Sequence, residues 1–304
     1  MNIREAQVYG RAVLKDSPSP LLDVDCILQF ILSRDKTFLL FHREVELTQE
    51  QKDIFEDLLK KRQTGLPIAY ITQKKEFYGR DFFVTPDVLI PKPDTELLVE
   101  LSLSVIRQKL SSKPGYVLTI CDMCTGSGCV GLSIINECID QKIVNKDNIP
   151  LLIMADISQK ALDIAKINAK KMCSEEVFKR ILFVRSNLFE MISLKFDLIA
   201  SNPPYVPKEQ AYELLKDGRS EPILALDGDI DINGNPLPQN DGLGVIKNLI
   251  PQAYEHLNPY GALIIESGEY NAEKTQKLFI KAGLKDTSIE KDLNDQLRDT
   301  IGYK

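Results

Sequence analysis

The sequence contains no tryptophan and only two histidines, His42 and His256, among its 304 residues. The two histidines lie far apart in the chain, so a histidine-dependent mechanism is not expected. No apolar run reaches the roughly 18 residues of a transmembrane helix. The first residues also lack the apolar segment of a signal peptide. These absences predict a cytoplasmic protein with no membrane association.

An excess of positive charge is also missing, since the net charge is −6. Broad, sequence-independent adhesion to DNA or RNA requires a basic face, so direct nucleic-acid binding is not expected, although a local basic patch is not excluded. At this length the chain can hold a full-sized catalytic domain and a smaller second one.

The six cysteines do not form a recognisable metal or redox framework. Cys121 and Cys124 have the C-x-x-C spacing, but no second such pair follows, and no histidine lies nearby in the sequence. Most of the cysteines sit in apolar segments, which is typical of reduced core thiols. We therefore expect small buried residues here and no bound metal.

The first part of the chain has helical periodicity. Helices are predicted over 3–14 and 21–32, and a third runs from Thr48 to Arg62, where Thr48 and Gln51 form a capping box. Alternating apolar residues over 77–84 then predict a β-hairpin with its turn near Gly79. These changes predict a helical domain (1–75), a hairpin linker (76–90) and a larger second domain (91–304).

Strands and helices alternate after residue 116. The predicted strands are 116–121, 151–155, 181–184, 196–201 and 262–266, and the predicted helices are 129–138, 158–172, 245–256 and 272–282. This alternation predicts an α/β fold with a doubly wound, Rossmann-like, mostly parallel sheet. The polar, turn-rich segment Asp229–Asn240 is predicted to be a surface excursion.

A glycine-containing loop follows the first predicted strand of this sheet. It includes Cys124, Thr125, Gly126, Ser127 and Gly128. Small residues at such a turn let a ligand approach the backbone closely. Asp156 ends the next strand, where its carboxylate can accept both ribose hydroxyls of a nucleoside. The pattern fits a nicotinamide dinucleotide or S-adenosylmethionine, and a purely structural turn also remains open.

The tetrapeptide Asn202-Pro203-Pro204-Tyr205 follows a short apolar run typical of a buried parallel strand. Its position is the carboxyl edge of the sheet, where such folds bind ligands. The Asn202 side-chain oxygen and the Pro203 carbonyl can accept the two hydrogens of an NH2 group, because neither proline has an N–H. Tyr205 can cover a flat π-system. A simple turn is the alternative interpretation.

An acceptor site for NH2 suits a methyl donor better than a hydride donor, so the tetrapeptide favours S-adenosylmethionine. Asn187 and Leu188, after the third strand, lie where an adenine is expected, with Asn187 at its edge and Leu188 on its face. Loop capping is the alternative for both. The segment 91–96 is interpreted either as a cover over the cofactor or as a helix start, with Asp94 or Thr95 as N-cap.

Several motifs together resemble the protein-glutamine methyltransferases that modify bacterial peptide-chain release factors, known as the PrmC/HemK family. The resemblance spans nearly the whole chain and rests on residues 62–71, 76–82, 89–96, 122–128, Asp156, 202–205, Glu221-Pro222 and Ala225-Leu226. It departs from the family pattern at three positions: Cys124 replaces a glycine, Lys92 an arginine and Asn187 an aspartate. The excursion at 229–240 has no usual counterpart.

The resemblance implies methylation of the glutamine side-chain nitrogen in the Gly-Gly-Gln motif of release factors, with S-adenosylmethionine as donor. It also implies that residues 202–205 hold the glutamine and that 124–128, Asp156, Asn187, Leu188 and Asn202 contact the cofactor. Three alternatives remain: a ribosomal-protein glutamine methyltransferase, a DNA or RNA adenine amino-methyltransferase, and a non-catalytic binding protein.

Overall fold

The computed structural model describes the whole chain except residues 216–220, 232, 234, 238 and 239. The chain divides into two compact units. The first is built mainly from Met1–Lys74, and the second contains Lys75–Glu213 and Glu221–Lys304. No helix within the described residues is long and apolar enough to cross a membrane.

The first unit consists of helices around a small apolar core. Its helices are α1 (Ile3–Val13), α2 (Pro20–Leu32), α3 (Lys36–Phe41), α4 (Gln49–Gln63) and α5 (Ile68–Ile71). The three longer ones confirm the sequence prediction, including the capping box in which the Thr48 hydroxyl accepts from the Gln51 N–H and the Gln51 side chain accepts from the Thr48 N–H. Helices α3 and α5 were not predicted, since six and four residues are too few to show a 3.6-residue period.

One buried ion pair joins two helices of this unit. Arg62, in α4, donates from Nε to Asp23 of α2 over 2.8 Å, and both side chains are largely covered. The guanidinium also donates to the hydroxyl of Ser17 and to the carbonyl of Leu66. The pair therefore ties α2, α4 and the chain that follows α4 together.

The predicted hairpin is confirmed. Strands β1 (Lys74–Phe77) and β2 (Arg80–Phe83) pair around Gly79, whose φ of +69° favours glycine. The buried Asn168 side chain accepts from the Phe83 N–H and donates to the Phe83 carbonyl, at 2.8 and 3.0 Å. It also donates to the Ser127 carbonyl at 2.9 Å, so one amide links the hairpin to the glycine-containing loop.

The second unit is built on a seven-stranded sheet with strand order β5-β4-β3-β6-β7-β9-β8. The first five strands in this order are parallel, and β9 is antiparallel to both β7 and β8. The strands are β3 (Thr119–Met123), β4 (Leu151–Asp156), β5 (Ile181–Arg185), β6 (Phe196–Ser201), β7 (Leu257–Glu266), β8 (Lys285–Lys291) and β9 (Leu297–Tyr303). This topology confirms the predicted Rossmann-like, mostly parallel sheet.

Eight helices and one 3-10 turn, at Pro93–Thr95, accompany this sheet in the described chain after β2. The helices are α6 (Glu96–Ser112), α7 (Cys129–Asp140), α8 (Gln159–Met172), α9 (Glu175–Phe178), α10 (Lys208–Leu215), α11 (Ile223–Leu226), α12 (Gly244–His256) and α13 (Glu269–Ala282). The four predicted helices of this region correspond to α7, α8, α12 and α13, within three residues at each end.

Several strand predictions needed correction. Strand β7 begins at Leu257 and not at the predicted residue 262. The first sheet strand begins at Thr119, not at Tyr116, because Lys113–Gly115 close a turn and Tyr116 and Val117 remain exposed. Strands β8 and β9 were missed. Strand β9 contains the buried polar residues Arg298, Asp299 and Thr300, which hide the apolar alternation that marks a strand.

The segment Asp229–Asn240 is not merely a surface excursion. Asp229 is fully buried, and its carboxylate accepts from the backbone N–H groups of Gly242 and Gly244. Ile230, only 5% exposed, lies with it against the sheet unit. The prediction is therefore wrong for the start of the segment, whereas the described residues Asn233, Asn235 and Asn240 are exposed, as a surface excursion requires.

Two glycines flank this segment and press against the tetrapeptide loop. A Cβ on Gly228 would lie 2.9 Å from the Pro204 carbonyl oxygen, and one on Gly242 would lie 2.1 Å from that of Tyr205. The backbone of 226–228 also pairs with Val206 through two hydrogen bonds. The backbone at Gly228 and Gly242 therefore packs against the loop after β6 so closely that a residue with a Cβ would not fit.

Candidate active site

A cavity of about 250 Å³ opens at the carboxyl edge of the parallel strands. It is lined by the segments after β3, β4, β5 and β6, by residues around 87–95 and by part of the excursion. Of the predicted site residues, those that line it are Cys124, Thr125, Gly126, Ser127, Asp156, Asn187, Leu188, Asn202 and Pro204. Gly128, Pro203 and Tyr205 do not line it.

The glycine-containing loop has three residues in the left-handed region. Cys124, Gly126 and Gly128 have φ values of +62°, +54° and +83°. An added Cβ on Gly128 would lie 2.6 Å from the Met154 side chain, so this glycine serves packing. At Gly126 it would meet nothing within 4 Å, so the backbone is bare toward the cavity. Cys124 has a Cβ, and for such a residue the left-handed conformation costs about 1–2 kcal/mol relative to the right-handed one.

Asp122, near the end of β3, fixes the glycine-containing loop through hydrogen bonds. Its carboxylate accepts from the Thr125 hydroxyl and, at 2.9 Å, from the Gly131 N–H. Burial raises the pKa of Asp122 to about 7, because the charged form loses its hydration. The two hydrogen bonds oppose this rise in pKa.

Asp156 ends β4, as predicted, and forms part of the cavity wall. Its Oδ2 accepts from the Gly126 N–H and its Oδ1 from the Ser158 N–H, both at 2.9 Å. Burial raises the pKa of Asp156, and these backbone donors partly counter the effect. Each carboxylate oxygen has further lone pairs, so the aligned group can still accept from a ligand.

Asn187 and Leu188 follow β5 on the same edge. The Asn187 Nδ2 donates to Glu190 over 2.6 Å, which leaves its side-chain oxygen free to accept. Leu188 has a φ of +49°, an uncommon value for a residue with a branched side chain, and packs on the apolar core beneath the sheet.

The tetrapeptide is held by side chains that the sequence did not connect with it. Asn202 donates from Nδ2 to the Thr95 hydroxyl over 3.0 Å, and the Tyr205 hydroxyl donates to Glu266 over 3.1 Å. Pro203 is buried and is not among the residues that line the cavity. The Tyr205 carbonyl accepts from Tyr270 at 3.3 Å.

Sequence reasoning missed the contacts that Thr95 and Glu266 make with the tetrapeptide. Thr95 occupies the N-cap of α6 but makes no side-chain capping bond, and its hydroxyl oxygen accepts from Asn202 instead. Glu266 was predicted only as the end of a strand. The register pairs Ser201 with Ile265, which places Glu266 beside the start of the tetrapeptide. A charged residue at the end of a buried parallel strand was the available signal.

The segment 91–96 both starts a helix and lines the cavity. Pro91, Lys92 and Thr95 form part of the wall, and α6 begins at Glu96. Lys92 donates to the buried Glu221 over 2.9 Å, and Glu221 also accepts from the Ile90 N–H. This ion pair fixes the segment across the cavity from the glycine-containing loop.

The six cysteines are free thiols, of which Cys121 and Cys138 are buried and the other four half-buried. Burial raises the pKa of Cys129 and of Cys138 to about 12 and raises that of Cys124 further. Thiols of this kind are neutral and unreactive, which fits the prediction of small buried residues.

The sheet order and the edge cavity define a class I S-adenosylmethionine-dependent methyltransferase fold. The same fold is found in a Thermus thermophilus 16S rRNA N2 G1207 methyltransferase solved with AdoMet and guanosine, at a TM-score of 0.50 and 14% identity, over 76% of this chain and 49% of that one. Residues 104–235 match the family model "Methyltransferase small domain", and residues 5–72 match "PrmC N-terminal domain".

Curated relatives extend over nearly the whole chain. A release factor glutamine methyltransferase of Borreliella burgdorferi is 36% identical over 99% of this chain and 94% of its own length. One of Escherichia coli K12 is 32% identical over 95% of this chain and 94% of its own. The chain belongs to the release factor glutamine methyltransferase family.

Proposed function

We propose that this protein transfers a methyl group from S-adenosylmethionine to the side-chain nitrogen of the glutamine in the Gly-Gly-Gln motif of peptide-chain release factors. Membership of the family supports this reaction. The observation that carries it is Asn202, which lies on the cavity wall with its NH2 group engaged by Thr95 and its Oδ1 left as an acceptor.

The cavity residues fit the cofactor. Asp156 presents an aligned carboxylate for the ribose hydroxyls, and Gly126 leaves bare backbone where a Cβ would otherwise stand. Cys124, Thr125, Ser127 and Gly128 complete the loop, and Asn187 and Leu188 bind the adenine. When bound, the cofactor supplies an activated methyl group on a positively charged sulfur.

The chain's own contribution to catalysis is orientation and charge stabilisation. The Asn202 Oδ1 and the Pro203 carbonyl accept hydrogen bonds from the two N–H groups of the glutamine amide. Pro204 and Tyr205 pack against the flat face of that amide. These acceptors orient the nitrogen toward the methyl group and stabilise the positive charge that develops as the C–N bond forms. Orientation of this kind is worth up to about 7–11 kcal/mol in favourable cases. The nitrogen then releases its proton to water.

The remaining assignments concern partners and location. The helical first unit, residues 1–75, docks the release factor, and the hairpin over 76–90 leads into the methyltransferase domain at 91–304. The net charge of −6 supports a protein partner over direct binding of nucleic acid. We expect the enzyme to act in the cytoplasm without a metal ion.

Replacement of Asn202 tests the catalytic role. Asn202→Ala should lower kcat by about 100-fold or more, as loss of a preorganised polar group does, while Kd for S-adenosylmethionine changes little. Asn258→Ala is the matched control, because it also removes an asparagine hydrogen bond, to Asp197, outside the cavity. Near-wild-type turnover by Asn202→Ala would refute the role.

Substrate identity is tested with tritiated S-adenosylmethionine. Purified enzyme is offered release factor, release factor with the motif glutamine replaced, ribosomal protein, DNA and RNA in parallel. Label on the intact release factor alone is the expected result. Label on ribosomal protein, DNA or RNA, with none on release factor, would replace the proposed substrate.

A further inference from the structure

Two apolar side chains of the segment Asp229–Asn240 reach the cavity at the carboxyl edge of the sheet. Ile230, which is 5% exposed, and the half-buried Leu237 both form part of its wall. The sequence pattern predicted only a surface excursion here, with no ligand. The two side chains instead offer hydrophobic surface to whatever the cavity binds.

Hydrogen bonds fix the position of Leu237. Its backbone N–H donates to the Asp229 carbonyl over 2.6 Å. The buried Asp229 carboxylate in turn accepts from the backbone N–H groups of Gly242, at 2.6 Å, and of Gly244, at 3.2 Å. Because Gly244 is the first residue of α12, these bonds tie the stretch that carries Leu237 to the start of that helix.

The Leu237 side chain packs on the first turn of α12. A Cβ added at Gly244 would lie 2.6 Å from Leu237 Cδ1, so the leucine occupies the space that the glycine leaves. Val245 and Asn248 are three residues apart on α12, which places them on one face of the helix, and both line the same cavity. Leu237 therefore continues the part of the cavity wall that α12 begins.

Helix α12 also contacts the loop after β5. The Gln252 side-chain oxygen, on α12, accepts from the Phe189 N–H over 3.3 Å. Phe189 belongs to the same apolar cluster as the buried residues of α12, and Leu188 packs against that cluster. Because Leu188 is the residue proposed to bind the adenine, Leu237 lies on the side of the cavity where the adenosine part of the cofactor is expected.

We propose that Leu237 is a cofactor-binding residue that packs, together with Val245, on the adenosine part of S-adenosylmethionine. This inference rests on the proposed function for the identity of the cofactor. Ligand cavities bind mainly through hydrophobic walls, and an aliphatic side chain can cover the flat face of an adenine. Covering that face removes apolar surface from water, which should strengthen cofactor binding.

The affinity of Leu237→Ala for S-adenosylmethionine, measured by isothermal titration calorimetry, tests this contact. Each buried CH2 group is worth roughly a factor of four in affinity. Since Leu237→Ala removes three carbons from a half-buried side chain, Kd should rise about tenfold. Leu237→Met nearly conserves the volume and should restore most of the loss. Leu194→Ala is the control, because Leu194 is 41% exposed and does not line the cavity, and it should leave Kd unchanged.

A fragment of the cofactor shows which part Leu237 contacts. 5′-Methylthioadenosine keeps the adenosine and the thioether sulfur but lacks the amino-acid end. Its Kd should rise in Leu237→Ala by the same factor as that of S-adenosylmethionine. A rise for S-adenosylmethionine alone would place Leu237 at the amino-acid end and overturn the proposal.

The remaining outcomes separate this inference from the proposed function. An unchanged Kd in a folded Leu237→Ala, with a raised KM for release factor, would assign Leu237 to the substrate and overturn the proposal. Loss of cooperative thermal unfolding in Leu237→Ala and Leu237→Met alike would assign it to structure alone. A wild type that binds S-adenosylmethionine but labels no release factor would refute the proposed substrate, and the comparison of Kd values would still decide the role of Leu237.

Discussion

The proposed role of Asp156 at the ribose gives the sharpest test of the cofactor assignment. In Asp156→Ala the cavity loses a charged acceptor already aligned by two backbone donors at 2.9 Å. A hydrogen bond to a charged group is worth about 1.5–3 kcal/mol. At 1.36 kcal/mol per factor of ten, Kd for S-adenosylmethionine should rise about 10- to 150-fold.

Isothermal titration calorimetry at pH 8 measures this change directly. Asp163→Ala is a matched control, because Asp163 lies exposed on α8, the helix that follows β4. Within the described residues, its side chain accepts a hydrogen bond from Gln159 alone. Thermal unfolding without ligand should be measured alongside, because the variant also leaves the Gly126 and Ser158 N–H groups without their acceptor. An unchanged Kd in a folded variant would remove Asp156 from the ribose site.

Two further predictions concern stability. Arg62→Met should destabilise the first unit by about 3–5 kcal/mol in urea unfolding, because it leaves the buried Asp23 carboxylate without its ion-pair partner. The control Lys61→Met breaks an exposed pair with Asp57 and should cost under about 1 kcal/mol. Equal losses of stability in the two variants would refute this prediction. For Asp122, a raised pKa means that its stabilising contribution is present below its ordinary value of 3.8 and is lost as pH rises through about 7. Asp122→Asn should therefore gain stability relative to the wild type between pH 4 and pH 8, and a pH-independent difference would contradict the assignment.

Much of the fold could be predicted because local signals were strong. The capping box at Thr48, the glycine turn at Gly79 and the buried run before Asn202 each have one dominant physical cause, and all three are confirmed. The position of Asp156 at a strand end follows in the same way. These features depend on residues that are close together in sequence.

The rest depended on contacts between residues that are distant in sequence. Thr95 and Glu266 meet the tetrapeptide only because β7 lies beside β6 and α6 begins nearby, which no local pattern indicates. Strand β9 was hidden for a related reason, since Arg298 and Asp299 are polar yet buried around Glu266. Polar residues that are buried beside one another look like surface residues in a linear sequence.

The close approach of Gly228 and Gly242 to the Pro204 and Tyr205 carbonyls has a consequence for interpreting sequence variation. Any side chain at either glycine would need the volume that those carbonyl oxygens already occupy. Substitutions there would thus displace the loop after β6, which we propose holds the glutamine, although neither glycine has a side chain to offer a substrate. A loss of methylation caused by such a change would report a shifted backbone and would say nothing about lost contacts.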